Sequence, residues 1–237
     1  MDLTDSSPEE YCRRIEAYLC RKNDGHLVRI VGPAFEQVSG WAARGVPLKI
    51  AFHGIDRYFE RYYAKGPRRR PIRIEFCEAD VLDVFDEWRR AVGVPAVGAP
   101  GNGEPEETAS RHGSLPAHLE RVIARLTTLR GGPDRSLDEL LDRVVSELDT
   151  ARARAKALRG EARRVFLDRL AEIDKSLLET ARMHCDSATL DALRAEADAE
   201  LASFRGRMTT EAYDRARDAC VDRLIRERAR LPVVSFE

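Results

Sequence analysis

Residues Tyr58–Phe76 read YFERYYAKGPRRRPIRIEF, and the way this stretch divides into elements decides the fold. Its first part continues an apolar stripe. Leu48, Phe52, Ile55, Phe59 and Tyr62 recur at spacings of four and three, which predicts a helix with that stripe toward the core. His53, Arg57, Arg61 and Lys65 then fall on the opposite face. The two prolines of GPRRRP forbid a continuous helix through it. PIRIEF alternates Ile72, Ile74 and Phe76 with Arg73 and Glu75, the period of a half-buried strand with the three apolar residues inward. A strand here makes the N-terminal region α+β.

Upstream, Ser7-Pro8-Glu9-Glu10 has the form of a capping box, so a helix is expected to about Lys22, before NDG. HLVRIV (His26–Val31) reads as a short β-branched strand. Pro33 opens a second helix with Phe35, Val38, Trp41 and Ala42 inward, and Gly45 stops it. Pro47 starts the third helix at once, so the joint resembles a helix-turn-helix or another tight corner. Downstream, Val81, Phe85, Trp88 and Val92 mark a further helix whose outer face carries Glu78, Asp80, Asp83, Asp86 and Glu87. In the order helix, strand, helix, helix, strand, helix, the first five elements match a winged-helix layout within residues 1–93, with the third helix in the recognition position.

Residues 94–113, VPAVGAPGNGEPEETASRHG, lack hydrophobic period and read as a flexible linker. Residues 114–231 are expected to form an all-α, coiled-coil-like bundle. Ser136-Leu-Asp-Glu139 repeats the capping-box form, and Leu137, Leu141, Val144, Leu148, Ala151, Ala155 and Leu158 make one seam. Phe166, Leu170, Ile173, Leu177 and Ala181 make a second. Two more helices, capped at Asp186–Ser187 and Thr209–Thr210, bury Leu190, Leu193, Ala197, Leu201 and Phe204, then Tyr213, Ala216, Cys220, Leu224 and Ile225. Their charged faces suit solvated ion pairs, a partner's helices or self-association. Pro232 ends the last helix, and residues 232–237 form an extended tail that either adds to another protein's sheet or packs back on its own bundle.

Apolar content of 43% supplies a core, while 34% charged residues fit long, solvated helices. A net charge of −1 argues against a protein held on nucleic acid by bulk positive charge, so any such contact must be local. No apolar run spans a bilayer, and MDLTDSSPEEY is too acidic for a signal peptide. Cys12, Cys20, Cys77, Cys185 and Cys220 show no paired spacing, which suits reduced thiols and a cytoplasmic protein. His184–Cys185 stands without the further ligands a zinc site needs. The chain carries no Walker loop, GxGxxG, GxSxG or HExxH, so a non-enzymatic protein with no cofactor is expected.

The functional signal is the basic patch of Arg57, Arg61, Lys65, Arg68, Arg69, Arg70 and Arg73. Arginine forks suit phosphate oxygens, and Tyr58 or Tyr63 could stack on an unpaired base; His53 and Tyr58 are the candidate base-facing residues. Nucleic acid, DNA before RNA, is the expected partner. The alternatives are an acidic protein surface, or a charged loop that only keeps the domain soluble or pairs with the acidic last helix of the region. The runner-up function is an adaptor acting through residues 114–231.

Residues 33–92 resemble the helical domain of the DnaD family of replication-initiation proteins. The likeness lies in Trp41 near a helix end, a tight turn, IAFHGID in the next helix, and a closing helix with Val84 and Trp88. In that family a tyrosine, an isoleucine and a tryptophan recur at four-residue steps; Asp80 and Val84 stand at the first two positions and Trp88 matches. The resemblance implies DNA remodelling in replication and contact with a helicase or its loader, without catalysis.

Overall fold

The computed structural model describes residues 7–64, 66, 71–94, 114–129, 135–155 and 157–236. The chain divides into two compact units: Met1–Ala99 with Ala195–Cys220, and Pro100–Arg194 with Val221–Glu237. Of the expected linker, residues 94–113, Val94 is buried and its N–H bonds Arg89 O at the end of α4, while 95–113 lie outside the described residues. No helix among those described is long and apolar enough to cross a membrane.

The first unit is built from α1 (Pro8–Lys22), α2 (Pro33–Arg44), α3 (Leu48–Tyr63), a 3-10 turn (Ile74–Cys77) and α4 (Glu78–Val92). It also takes the end of α8 (Ser187–Leu201), a second 3-10 turn (Ala202–Arg207) and the start of α9 (Thr210–Ala229). Ser7 Oγ accepts from Glu10 N at 3.4 Å, capping α1. Gly45, at φ 81°, closes α2 in the left-handed conformation: its N–H bonds Ala42 O, and Val46 N–H bonds Trp41 O. The tight corner between α2 and α3 follows from this. Residues 195–220 join this unit because Phe204, 1% exposed, packs its ring 6.4 Å from Phe85 and 5.8 Å from Trp88.

The winged-helix, α+β reading of residues 1–93 is overturned; mainly α holds. The described residues contain helices and 3-10 turns, and neither expected strand forms. Side chains take the backbone groups that a sheet would pair. Asn23, 2% exposed, accepts from Ile72 N at 2.8 Å and donates to Ile72 O at 2.9 Å. In His26–Val31, Glu16 Oε2 accepts from Ile30 N at 2.8 Å, and the Cys20 thiol lies 3.3 Å from Val28 N and 3.5 Å from its carbonyl. With those groups satisfied locally, a β ladder has nothing to add.

The 3-10 turn also changes which residues face inward. Ile72, Ile74 and Cys77 are buried, following a spacing of three after Ile74, and Phe76 is 58% exposed. Burial pushes the Cys77 thiol up to about 12. On α3 the inward stripe is rotated from the expected one: Ile50, Ala51, Gly54, Ile55 and Phe59 are buried, while Leu48, Phe52 and Tyr62 are half-buried. Gly54 explains the rotation. A Cβ there would stand 2.4 Å from Val81 Cα, so its absence lets α3 and α4 meet backbone to backbone.

The second unit contains α5 (Leu115–Thr128), α6 (Arg135–Ala155), α7 (Gly160–Met183), the start of α8 and the end of α9. Leu141, Val144, Leu148 and Ala155 of α6 are buried, as are Leu170, Ile173, Leu177 and Ala181 of α7. Asp186 Oδ1 caps α8 by accepting from Thr189 N at 2.7 Å. Side chains of residues 135–137, including Ser136 and Leu137, are outside the described set.

Candidate nucleic-acid interface

The candidate surface is the outer side of α3 together with the turn that leads into α4. Amphipathic spacing puts His53, Arg57 and Arg61 toward solvent, His53 and Arg61 exposed and Arg57 half-buried. Lys65, Arg68, Arg69 and Arg70 lie outside the described residues.

Each described arginine of the patch meets a carboxylate. Arg57 Nη1 donates to Glu87 Oε1 at 3.0 Å, and its Nε lies 3.9 Å from Asp80 Oδ1. Arg61 Nη2 donates to Asp80 Oδ2 at 2.5 Å, and Arg73 Nη2 to Glu75 Oε1 at 2.5 Å. The hydrogen bond to Glu87, with help from neighbouring carboxylates, holds Arg57 above the usual arginine range. Asp80 was expected on the outer face of α4; it is 5% exposed and turned toward α3. A buried carboxylate requires a partner, and the two α3 arginines supply it.

Beside these pairs lies a run of aromatic rings. Tyr58 stacks on Phe76 with centroids 6.5 Å apart and planes at 12°, and on Tyr62 at 5.9 Å and 24°. Tyr62 meets Tyr63 edge-on at 5.5 Å, and Tyr63 lies 6.0 Å from Phe59. The Arg61 guanidinium sits 5.4 Å from the Tyr58 centroid, in cation–π range. Phe76 is 58% exposed and Tyr63 40%, so two rings at this surface are open to a ligand. Partial burial, foremost, pushes the Tyr58 phenol up, so it stays protonated at neutral pH.

The sequence therefore named Tyr58, Tyr63 and the arginines, and offered pairing with the acidic helix as an alternative that Arg57 and Arg61 bear out, but it placed Phe76 and Tyr62 in the core and Asp80 on the outer face. Phe76 fits an inward strand position by alternation alone. The signal that would have found it is the three-residue step from Ile74 to Cys77, which competes with that alternation. Chemically, the arrangement offers flat apolar faces, a guanidinium over one ring and paired charges at the margin. Stacking on a planar ligand is what it suits.

A separate concavity of about 710 Å³ in the same unit is walled by Ala42, Val46, Leu48, Phe52 and Ala199. Its lining includes Lys49 and Glu196, which pair at 2.9 Å. Among the described residues no group of three or more His, Cys, Asp or Glu is arranged to hold a metal ion. No protein-family model, no curated protein and no solved structure matches this chain.

Proposed function

We propose that the N-terminal part of the chain is a non-catalytic nucleic-acid-binding module that takes single-stranded segments, DNA before RNA, as an accessory factor in replication or another nucleoprotein assembly. The observation that carries this reading is the exposed Phe76 ring, stacked on Tyr58 beside the Arg61 guanidinium. Aromatic faces stack on any unpaired base, and the basic residues of the Arg57–Arg73 segment supply phosphate contacts. The exposed faces of Phe76 and Tyr63 suit unpaired bases, so the platform is assigned to them. The test is fluorescence anisotropy of the full chain with labelled single- and double-stranded DNA and RNA at about 50 and 200 mM salt. Single strands should bind more tightly than duplexes and weaken with salt. Phe76→Ala with Tyr63→Ala should weaken them about tenfold or more. Absence of binding at the lower salt overturns the proposal.

A second reading is favoured by the ion pairs themselves. Arg57 and Arg61 already hold Glu87 and Asp80, so a phosphate must compete with carboxylates for them. An adaptor that docks a protein on the exposed apolar side chains Phe76 and Tyr63 needs no such exchange. In that case the same double variant loses a protein partner and leaves nucleic-acid binding undetected throughout.

A further inference from the structure

The last residues of the chain are held in a way that resembles a bound peptide. α9 ends in a left-handed turn: Arg230 has φ 55°, its N–H bonds Glu227 O, and Leu231 N–H bonds Arg226 O. The chain then runs extended. Leu231, Pro232 and Val234 are buried, and Val233 between them is 54% exposed. This in–out alternation is the way extended peptides present side chains to a receptor.

The backbone of Val234 is satisfied by side chains of the second unit. Its N–H donates to Asp174 Oδ1 at 2.7 Å, from α7. Its carbonyl lies 3.1 Å from His118 Nε2, from α5, and accepts from it when that nitrogen carries the proton. The Val234 side chain is fully buried. Phe236 closes the far end edge-on to the His118 ring at 5.1 Å, with the Arg163 guanidinium 5.9 Å from its centroid.

This receptor does not depend on the tail for its own charge balance. Asp174 is 8% exposed, and Arg226 of α9 grips both its oxygens, at 3.1 and 2.6 Å. If the tail leaves, the carboxylate remains paired, so the groove stays tolerable when empty. The exit point is weak, because a left-handed arginine is less favourable there than glycine.

We propose that the groove formed by His118, Arg163, Asp174 and Arg226 is a recognition site for extended Pro-x-Val-x-Phe peptides. Its resident ligand is the tail of the same chain, and the same tail of a second copy can take its place. The two copies are thereby joined by exchange of an identical element. This inference is independent of the nucleic-acid reading and survives its failure.

The test uses full-length chains of two kinds. One has a crippled tail (Val234→Ser, Phe236→Ser) and an intact groove; the other has a crippled groove (Asp174→Ala, or the milder His118→Ala) and an intact tail. Circular dichroism confirms that each is folded. A fluorescein-labelled peptide of residues 229–237 should bind the tail variant at least about tenfold more tightly than the wild type, whose own tail competes at high effective concentration. Adding His118→Ala or Asp174→Ala to the tail variant should remove that binding. The dye-labelled groove variant should bind the tail variant saturably, and excess peptide should displace it. A folded tail variant that ignores the peptide overturns the recognition site. Peptide binding without capture of the groove variant overturns exchange between copies.

Discussion

The two compact units solve the problem of helix packing with different materials. The first holds nearly all the aromatic residues; among Phe, Tyr and Trp only Phe166 and Phe236 belong to the second. Its centre is the cluster of Phe85, Trp88 and Phe204, where Trp88 Nε1 donates to Glu200 Oε2 at 3.1 Å and the Cys220 thiol lies 3.3 Å from the same oxygen. Contacts there are few, large and specific. The second unit is lined by Leu, Val, Ile and Ala at regular steps, with ion pairs on the outside such as Arg169 bridging Glu147 at 2.7 and 3.0 Å. A repeated aliphatic seam tolerates imperfection at any one position. A ring cluster with a backbone-to-backbone contact does not.

That contrast makes Gly54→Ala the most damaging small change. The added methyl group meets the Val81 backbone, which cannot swing aside, and the expected loss is about 4 kcal/mol in urea unfolding. Leu177→Ala in the second unit, at a fully buried seam position, should lose about 3 kcal/mol by the same measurement. If the order of the two is reversed, the distinction between the units fails. Arg230→Gly works in the opposite direction. Glycine adopts φ 55° without strain, so the variant should gain about 1 kcal/mol, read as a raised Tm.

The smallest effect sharpens the view that the outer ion pairs are accessory. Hydrogen bonding to Arg169 lowers the pKa of the Glu147 carboxyl in the folded chain. A lowered folded pKa means the stabilisation is complete above the unfolded pKa and is lost as pH falls through the folded value. Glu147→Gln should therefore cost at most about 0.5 kcal/mol at neutral pH, because the pair is exposed, and nothing once the wild-type carboxyl is protonated. A stability difference that persists unchanged at low pH would show that packing, not charge, is lost.

Legibility divided by kind of element: helical stripes were readable in both units, Val81, Phe85, Trp88 and Val92 of α4 among them, though Ala151, Leu158 and Phe166 of the seams are only half-buried. Seam residues Leu141, Val144, Leu148, Leu170, Ile173 and Leu177 were readable from spacing alone, and each is buried. So were Tyr213, Ala216, Cys220, Leu224 and Ile225 of α9. In the first unit the helix starts at Pro8 and Pro33 and the stop at Gly45 were readable, because proline and glycine act on the local backbone. The strands were misread. Alternation of apolar residues over five or six positions is compatible with a strand, an irregular extended segment or a 3-10 turn. The choice was made by Asn23, 49 residues from Ile72 in sequence, and by Glu16, 14 residues from Ile30. The basic patch was visible in the sequence, with pairing to the acidic helix as one alternative, but the choice of Asp80 and Glu87 as partners required knowing how α3 lies on α4.

By itself, then, the sequence determined a largely helical chain, the positions of its caps and breaks, the aliphatic seams of the second unit and the clustering of arginines around a proline-broken turn. These depend on backbone preferences and on periodicities that operate within a few turns of one element. Tertiary structure alone decided that Phe76 faces outward onto Tyr58, that Asp80 faces inward to Arg61, that residues 195–220 pack with the N-terminal helices, and that the tail occupies a groove built from three helices. Each of those outcomes depends on hydrogen bonds, close approaches and buried charges between residues far apart in sequence, where local pattern carries no information about the partner.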